Sequence, residues 1–398
     1  ATDTVTGDTS EFSACRQVNR LPTFGTAQTL SRQQGTLTGN TGLIATVADL
    51  DQAANTLTVT VKAVGAAGAG GTSQTVNGVT VSNIQIAANG NVTADVAAAC
   101  NAANATFTLR VTDTPGEFNE QTLTVNVTQN TPPTLGAYPN TTVNAGSSGT
   151  IVTPNAVPTD NGTVVTLTAA APGFTGSFTG NPATGAVTVN NAAPAGTYTV
   201  TITATDNCTA ATTGTFTLTV NAIPTISAQA GVSRQRGSAA VNSQIAAVND
   251  ADQSEETLSV AIIGPATVTG DVVADCSATN AAFTLRVTDS NGAFNEATLN
   301  VTVTANAPPT VGNYSNTTVT PGSSGTIVSP DAVPSDNGSV ASVTASAPGF
   351  TGTFVGSTTS GAITINDAAP AGTYTVTVTV TDNCTATTTK TFTLTVNT

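Results

Sequence analysis

Apolar and polar residues alternate along this chain in short stretches, as in Tyr198-Thr-Val-Thr-Ile-Thr-Ala and Phe107-Thr-Leu-Arg-Val-Thr. A period of two places one face inward and the other in water, which is the signature of a half-buried strand. Pro-, Gly- and Asn-rich turns separate the stretches, and no window carries a helical period. The pattern predicts an all-β protein made of many short antiparallel strands.

The strands come in repeats. Residues 131–222 align without a gap on residues 307–398, at an offset of 176 (307 − 131). APGFTG recurs at Ala171 and Ala347, AAPAGTYTV at Ala192 and Ala368, and TDNCTA at Thr205 and Thr381. The segments before these also match: LPTFGTAQTLSRQQG from Leu21 pairs with IPTISAQAGVSRQRG from Ile223, and FTLRVTD recurs at Phe107 and Phe283. The order is a-b-a-b, with sandwiches expected at 21–130 (a1), 131–222 (b1), 223–306 (a2) and 307–398 (b2) after a leader at 1–20. Only a1 carries the extra residues 63–88, read as an inserted loop or hairpin that includes the strand-like Val79-Thr-Val-Ser-Asn-Ile-Gln-Ile.

Composition narrows the chemistry. The 398 residues contain no His, Met or Trp, only 8% charged residues, and a net charge of −14. Without imidazole there is no Ser-His-Asp triad and no His-based metal site. Nine Lys+Arg residues cannot form the basic footprint that nucleic acid or an anionic membrane surface demands. No apolar run approaches the 18 or so residues of a membrane span. Carboxylate pairs raise glycoside hydrolysis, but 4% aromatics leave little with which to build a sugar-stacking cleft, so no enzyme is expected. The start at Ala1 without Met suggests a chain processed on export.

With the PPT linkers at Pro132 and Pro308, the pairs Asp49/Asp51 and Asp250/Asp252, the DNG sites at Asp160 and Asp336 and the TYTVT…TD hairpins, the chain resembles tandem β-sandwich surface proteins. These are the bacterial immunoglobulin-like, cadherin-like and HYR-type modules. The resemblance implies four antiparallel sandwiches and a secreted, cell-surface setting. In such a sandwich the loop between the last two strands sits at the N-terminal pole, and the loop before the penultimate strand sits at the other pole. That polarity sets Cys100 against Cys208 and Cys276 against Cys384, both 108 residues apart (208 − 100 and 384 − 276). Disulfides there suit an exported chain. Cys15 is left over as an intermolecular or free thiol.

Two further expectations concern partners. Val18-Asn19-Arg20-Leu21-Pro22-Thr23 matches Val220-Asn221-Ala222-Ile223-Pro224-Thr225, the junction between b1 and a2, so the leader holds the register of a last strand. It is read as a donor strand that adds to the last sandwich of a neighbouring copy and builds a head-to-tail filament. The scarcity of lysine, with only Lys62 and Lys390, leaves edges open to such pairing. The alternative is an adhesin or stalk of a larger surface protein. Calcium is the cofactor considered, because Asp49, Asp51, Asp113 and Glu120, with Asp250, Asp252, Asp289 and Glu296, gather oxygen ligands near one pole of each a unit. The resemblance carries calcium over to the two Asp-x-Asp pairs. Sequons at Asn140, Asn161, Asn207, Asn316, Asn337 and Asn383 permit N-glycans.

Overall fold

The structure is a computed structural model that describes residues 18–254, 258–263 and 271–398. Most of the expected leader, with Cys15, lies outside the described residues. The described residues are strand and turn throughout, apart from one 3₁₀ turn at Ala54–Thr56. No helix among them is long and apolar enough to cross a membrane. The chain divides into two compact units, Ala1–Val220 and Asn221–Thr398, each holding one a sandwich and one b sandwich.

In the first unit, a1 packs two sheets face to face. One orders Thr23–Phe24, Thr41–Ala48, Asn91–Ala98, Val79–Ile86 and Gln74–Val76; the other orders Thr29–Gln33, Phe118–Thr128, Ala105–Thr112 and Thr58–Ala63. The inward rows of alternating residues meet in a core around Ile44, Val61, Val96, Phe107, Leu109 and Leu123, each at most 1% exposed. The extra residues 63–88 are a hairpin that completes this sandwich. Gln74–Val76 and Val79–Ile86 turn through Asn77 and Gly78, whose φ values of 49° and 79° suit an Asn-Gly hairpin turn. Val79, Thr80 and Val81 then pair with Ala98, Ala97 and Val96, and Val79 and Val81 are fully buried.

The b sandwiches are leaner and follow one plan. In b1, Thr141–Asn144, Ala211–Asn221, Gly196–Asp206 and Val164–Ala170 face Thr150–Val152, Val187–Asn190 and Ser177–Gly180. Phe174 and Phe178 stack at 4.7 Å between ring centres, with Tyr198 edge-on, against the core. In the second unit b2 repeats this arrangement, including the Phe350–Phe354 stack. The outer face of its long hairpin is a ladder of paired threonines, from Thr373 opposite Thr395 to Thr381 opposite Thr387.

In the a2 sandwich residues 255–257 and 264–270 lie outside the described residues. Its larger sheet, Val232–Gln235, Phe294–Thr304, Ala281–Thr288 and Ser259–Ile263, repeats that of a1. On the facing side, among the described residues, Thr225–Ala228 pairs with Ala246–Asn249, and Val241–Asn242 with Asp271–Val272. Among the described residues its core centres on Val232, Val272, Leu285, Leu299 and Val301.

Candidate functional site

The chemistry-bearing residues sit at the N-terminal poles, and one device recurs at all four. An Asn just ahead of each sandwich donates its side-chain amide to the Asp that begins the last-hairpin loop. The pairs are Asn19 to Asp113 (2.6 Å), Asn130 to Asp206 (2.6 Å), Asn221 to Asp289 (2.7 Å) and Asn306 to Asp382 (2.6 Å). The second carboxylate oxygen of the same Asp caps its own loop. Asp206 Oδ1, for example, accepts the backbone N–H groups of Cys208 and Ala210, both at 2.8 Å. Asp206 and Asp382 are each 1% exposed, so with water excluded their oxygens depend on such donors.

At the a1–b1 joint this grip is reinforced. Cys100, after the strand Asn91–Ala98, is joined to Cys208 with Cα atoms 5.3 Å apart. Asn207 Nδ2 donates to Gly35 O (3.1 Å) and Asn161 Nδ2 to Gln34 O (2.9 Å), while Gln34 Oε1 accepts the backbone N–H of Asn130 (3.2 Å). Gly35 is left-handed at φ 84°, and a Cβ there would stand 2.6 Å from Cys208 Sγ, so only glycine lets the strands close this far. The a2–b2 joint repeats the set. Cys276 is bonded to Cys384, Asn383 donates to Gly237 O, Asn337 donates to Arg236 O, and a Cβ on Gly237 would collide with Cys384 Sγ.

Four of the sequon asparagines therefore do structural work. Asn161, Asn207, Asn337 and Asn383 use their amides within the joints, and a glycan on any of them would displace those bonds. Asn140 and Asn316 accept the backbone N–H groups of Thr217 and Thr393 and leave their amide nitrogens out of that contact.

The proposed calcium ligands separate into two groups. At the a1 pole Asp49 Oδ1 accepts the N–H of Asp51 (2.9 Å), and Asp51 Oδ2 accepts that of Arg20 (3.0 Å). At the a2 pole Asp250 and Asp252 do the same with Asp252 and Ala222. Loss of water, followed by the neighbouring Asp51 or Asp252, pushes the carboxyls of Asp49 and Asp250 above the usual Asp range. Asp51 is held low by the hydrogen bond from Asp49. Glu120 and Glu296 do not join them. Both are residues of the last long strand rather than of its loop. Glu120 is ion-paired with Lys62 and Arg110, each at 2.7 Å, and Glu296 with Arg286 at 2.6 Å. Among the described residues no three His, Cys, Asp or Glu side chains are grouped as a metal site.

Sequence reasoning singled out the cysteines and acids but passed over the linker asparagines and the joint glycines. The available signal was their recurrence, RQQG against RQRG and DNG and DNC twice each.

No family model matches the chain, and no curated protein matches it. Solved structures with similar arrangements include the protocadherin gamma B2 extracellular cadherin domains 1–5, at 15% identity and TM-score 0.23, covering 96% of this chain and 81% of that one. Sidekick-1 immunoglobulin domains 1–5 match at 15% identity and TM-score 0.38, covering 94% and 79%. Drosophila N-cadherin domains EC1–4 match at 13% identity and TM-score 0.24, covering 95% and 99%.

Proposed function

We propose that the chain is a non-catalytic, extracellular structural subunit that assembles head to tail with copies of itself, residues 1–20 of one copy adding as a strand to the next. The observation that carries the structural role is the joint. It is built twice from a disulfide, two part-buried Asn-to-carbonyl bonds and a glycine contact, an investment that fixes one sandwich against its neighbour and forms no reactive site. Disulfides of this kind belong to an oxidising, exported setting. The sequence points to b2 as the acceptor of the added strand. That sandwich already holds its own last strand, Thr387–Val396, so an added strand would lie along an outer edge.

The test is electron microscopy of the purified chain beside a chain lacking residues 1–19. Filaments from the first and dispersed particles from the second support the reading. Filaments from both sink it. Dispersed particles from both favour the adhesin or stalk alternative, in which the array carries another domain.

A second reading, calcium at the a-unit poles, is favoured by one observation. Asp250 is 8% exposed and its Oδ2 has no hydrogen-bond partner among the described residues. Unpaired buried carboxylate oxygens are costly, and a hard cation satisfies them. Asp250 and Asp252 would supply its protein ligands at a2, and Asp49 and Asp51 at a1, since both oxygens of Asp113 and Asp289 already accept hydrogen bonds.

A further inference from the structure

Eleven Asn-x-Ser/Thr sequons are spread along the chain, and the fold treats them unequally. An N-glycan is carried on the side-chain nitrogen of the asparagine, so an acceptor needs that nitrogen unbonded, the residue in water and the hydroxyl residue two places on exposed with it. Asn161, Asn207, Asn337 and Asn383 fail the first condition, since their Nδ2 atoms donate across the joints. Asn91, Asn126 and Asn300 belong to strands paired on both sides, Asn91–Ala98, Phe118–Thr128 and Phe294–Thr304. Asn313 is followed by Tyr314, which is 6% exposed and donates its hydroxyl to Gly361 O (2.6 Å), so that sequon is anchored in the b2 core.

Asn140 and Asn316 meet every condition. Both are exposed, as are Thr142 and Thr318, which complete their sequons. Asn140 Oδ1 accepts the backbone N–H of Thr217 at 2.9 Å, and Asn316 Oδ1 that of Thr393 at 2.8 Å. Fixing the oxygen of a planar amide on the sheet turns its nitrogen outward, and neither Nδ2 donates to another described residue. Asn104 is the remaining sequon. Its Oδ1 accepts the N–H of Val127 at 2.7 Å, but Ala105 beside it is 2% exposed. Its a2 counterpart Asn280 makes the same bond to Val303 (2.8 Å) with Ala282 where a1 has Thr106, so the bond alone accounts for asparagine there.

The two sites also share a setting. Asn140 and Asn316 immediately precede Thr141–Asn144 and Thr317–Val319, each the outermost strand at one side of a four-stranded b sheet. An outermost strand presents unpaired backbone groups to other chains, and charged side chains are a common guard. Residues 139–149 and 315–325 contain no charged side chain. A bulky, hydrated group at the first residue of the strand guards it by volume instead.

We infer that Asn140 and Asn316 are N-glycosylated, and that the glycans shield these two sheet edges from pairing with strands of other molecules. In the step, Nδ2 bonds to the anomeric carbon of a sugar, the bond from that carbon to a diphosphate leaving group breaks, and one amide proton is lost. The co-substrate is a glycosyl diphosphate, and the catalyst is a separate glycosyltransferase. The inference does not depend on self-assembly.

The test digests the chain as its own cells make it and reads the glycopeptides by mass spectrometry. Thr142→Ala and Thr318→Ala variants are made in the same cells, because they remove the sequons and keep the asparagine bonds to Thr217 and Thr393. The expected results are a glycan on Asn140 and Asn316, none on the four joint asparagines, and loss of each glycan in the matching variant. Unmodified Asn140 and Asn316 overturn the inference, and a glycan on any joint asparagine overturns the geometric selection behind it. Light scattering at matched concentration tests the shielding. The double variant is expected to aggregate at least threefold faster than the natural chain, and enzymatic removal of the glycans from the natural chain should do the same without a substitution. Aggregation unchanged by deglycosylation overturns the shielding role while leaving the two sites standing.

Discussion

At the scale of single residues, the most consequential groups are buried carboxylates, and they behave differently according to their partners. Asp206 holds Asn130, Cys208 and Ala210 through three bonds of 2.6–2.8 Å. Replacing it with Ala strands three donors in a buried place, so Asp206→Ala is expected to cost about 3 kcal/mol, seen as a lower denaturation midpoint of the first unit. Asp250 is the opposite case. Its unpartnered Oδ2 makes the ionised side chain a burden when no cation is present. Asp250→Asn should therefore raise the melting temperature in EDTA by a few degrees, and should abolish any rise on adding Ca²⁺. A wild-type melt unmoved by Ca²⁺ would remove the calcium reading. The acids were legible in the sequence; their fates were not, because a carboxylate's partner is set by loop geometry. Glu120 shows this most plainly, being drawn onto the sheet by Lys62 and Arg110 instead of reaching the pole.

At the scale of elements, the hairpin of residues 63–88 matters most. Its strand character was readable from Val79-Thr-Val, and its Asn77-Gly78 turn follows from the residues that tolerate positive φ. That it completes a sandwich edge was not readable, since nothing local says which strand it covers. Deleting residues 64–88 should strip a1 of the strand that covers Asp95–Ala98. Val59 and Phe107 would become exposed, and dye binding to apolar surface should rise while a1 loses several kcal/mol of stability.

At the scale of the whole molecule, each unit is a pair of sandwiches fastened across about a hundred residues of chain. Closing a loop of that length with a disulfide contributes on the order of 4 kcal/mol in the chain-entropy picture. Replacing Cys100 and Cys208 together with Ser should lower the stability of the first unit by about that much and leave the second unit unchanged, as two transitions in a denaturant melt would reveal. The joint's hydrogen bonds and glycine contacts remain in such a variant. Proteolysis between the paired sandwiches should accelerate only if the disulfide is what holds them.

Period-two alternation, turn residues and internal repetition determined the strands, the four-fold a-b-a-b order and the absence of imidazole chemistry, because these depend on local preference and on counting. The strand polarity expected of such sandwiches extended that reading to the cysteine pairs. Tertiary structure alone decided the rest. It placed Asn19, Asn130, Asn221 and Asn306 on their aspartates and turned four sequons into joint bonds. Those outcomes depend on which distant segments meet, and an asparagine bonded across a joint has the same local sequence as one left in water.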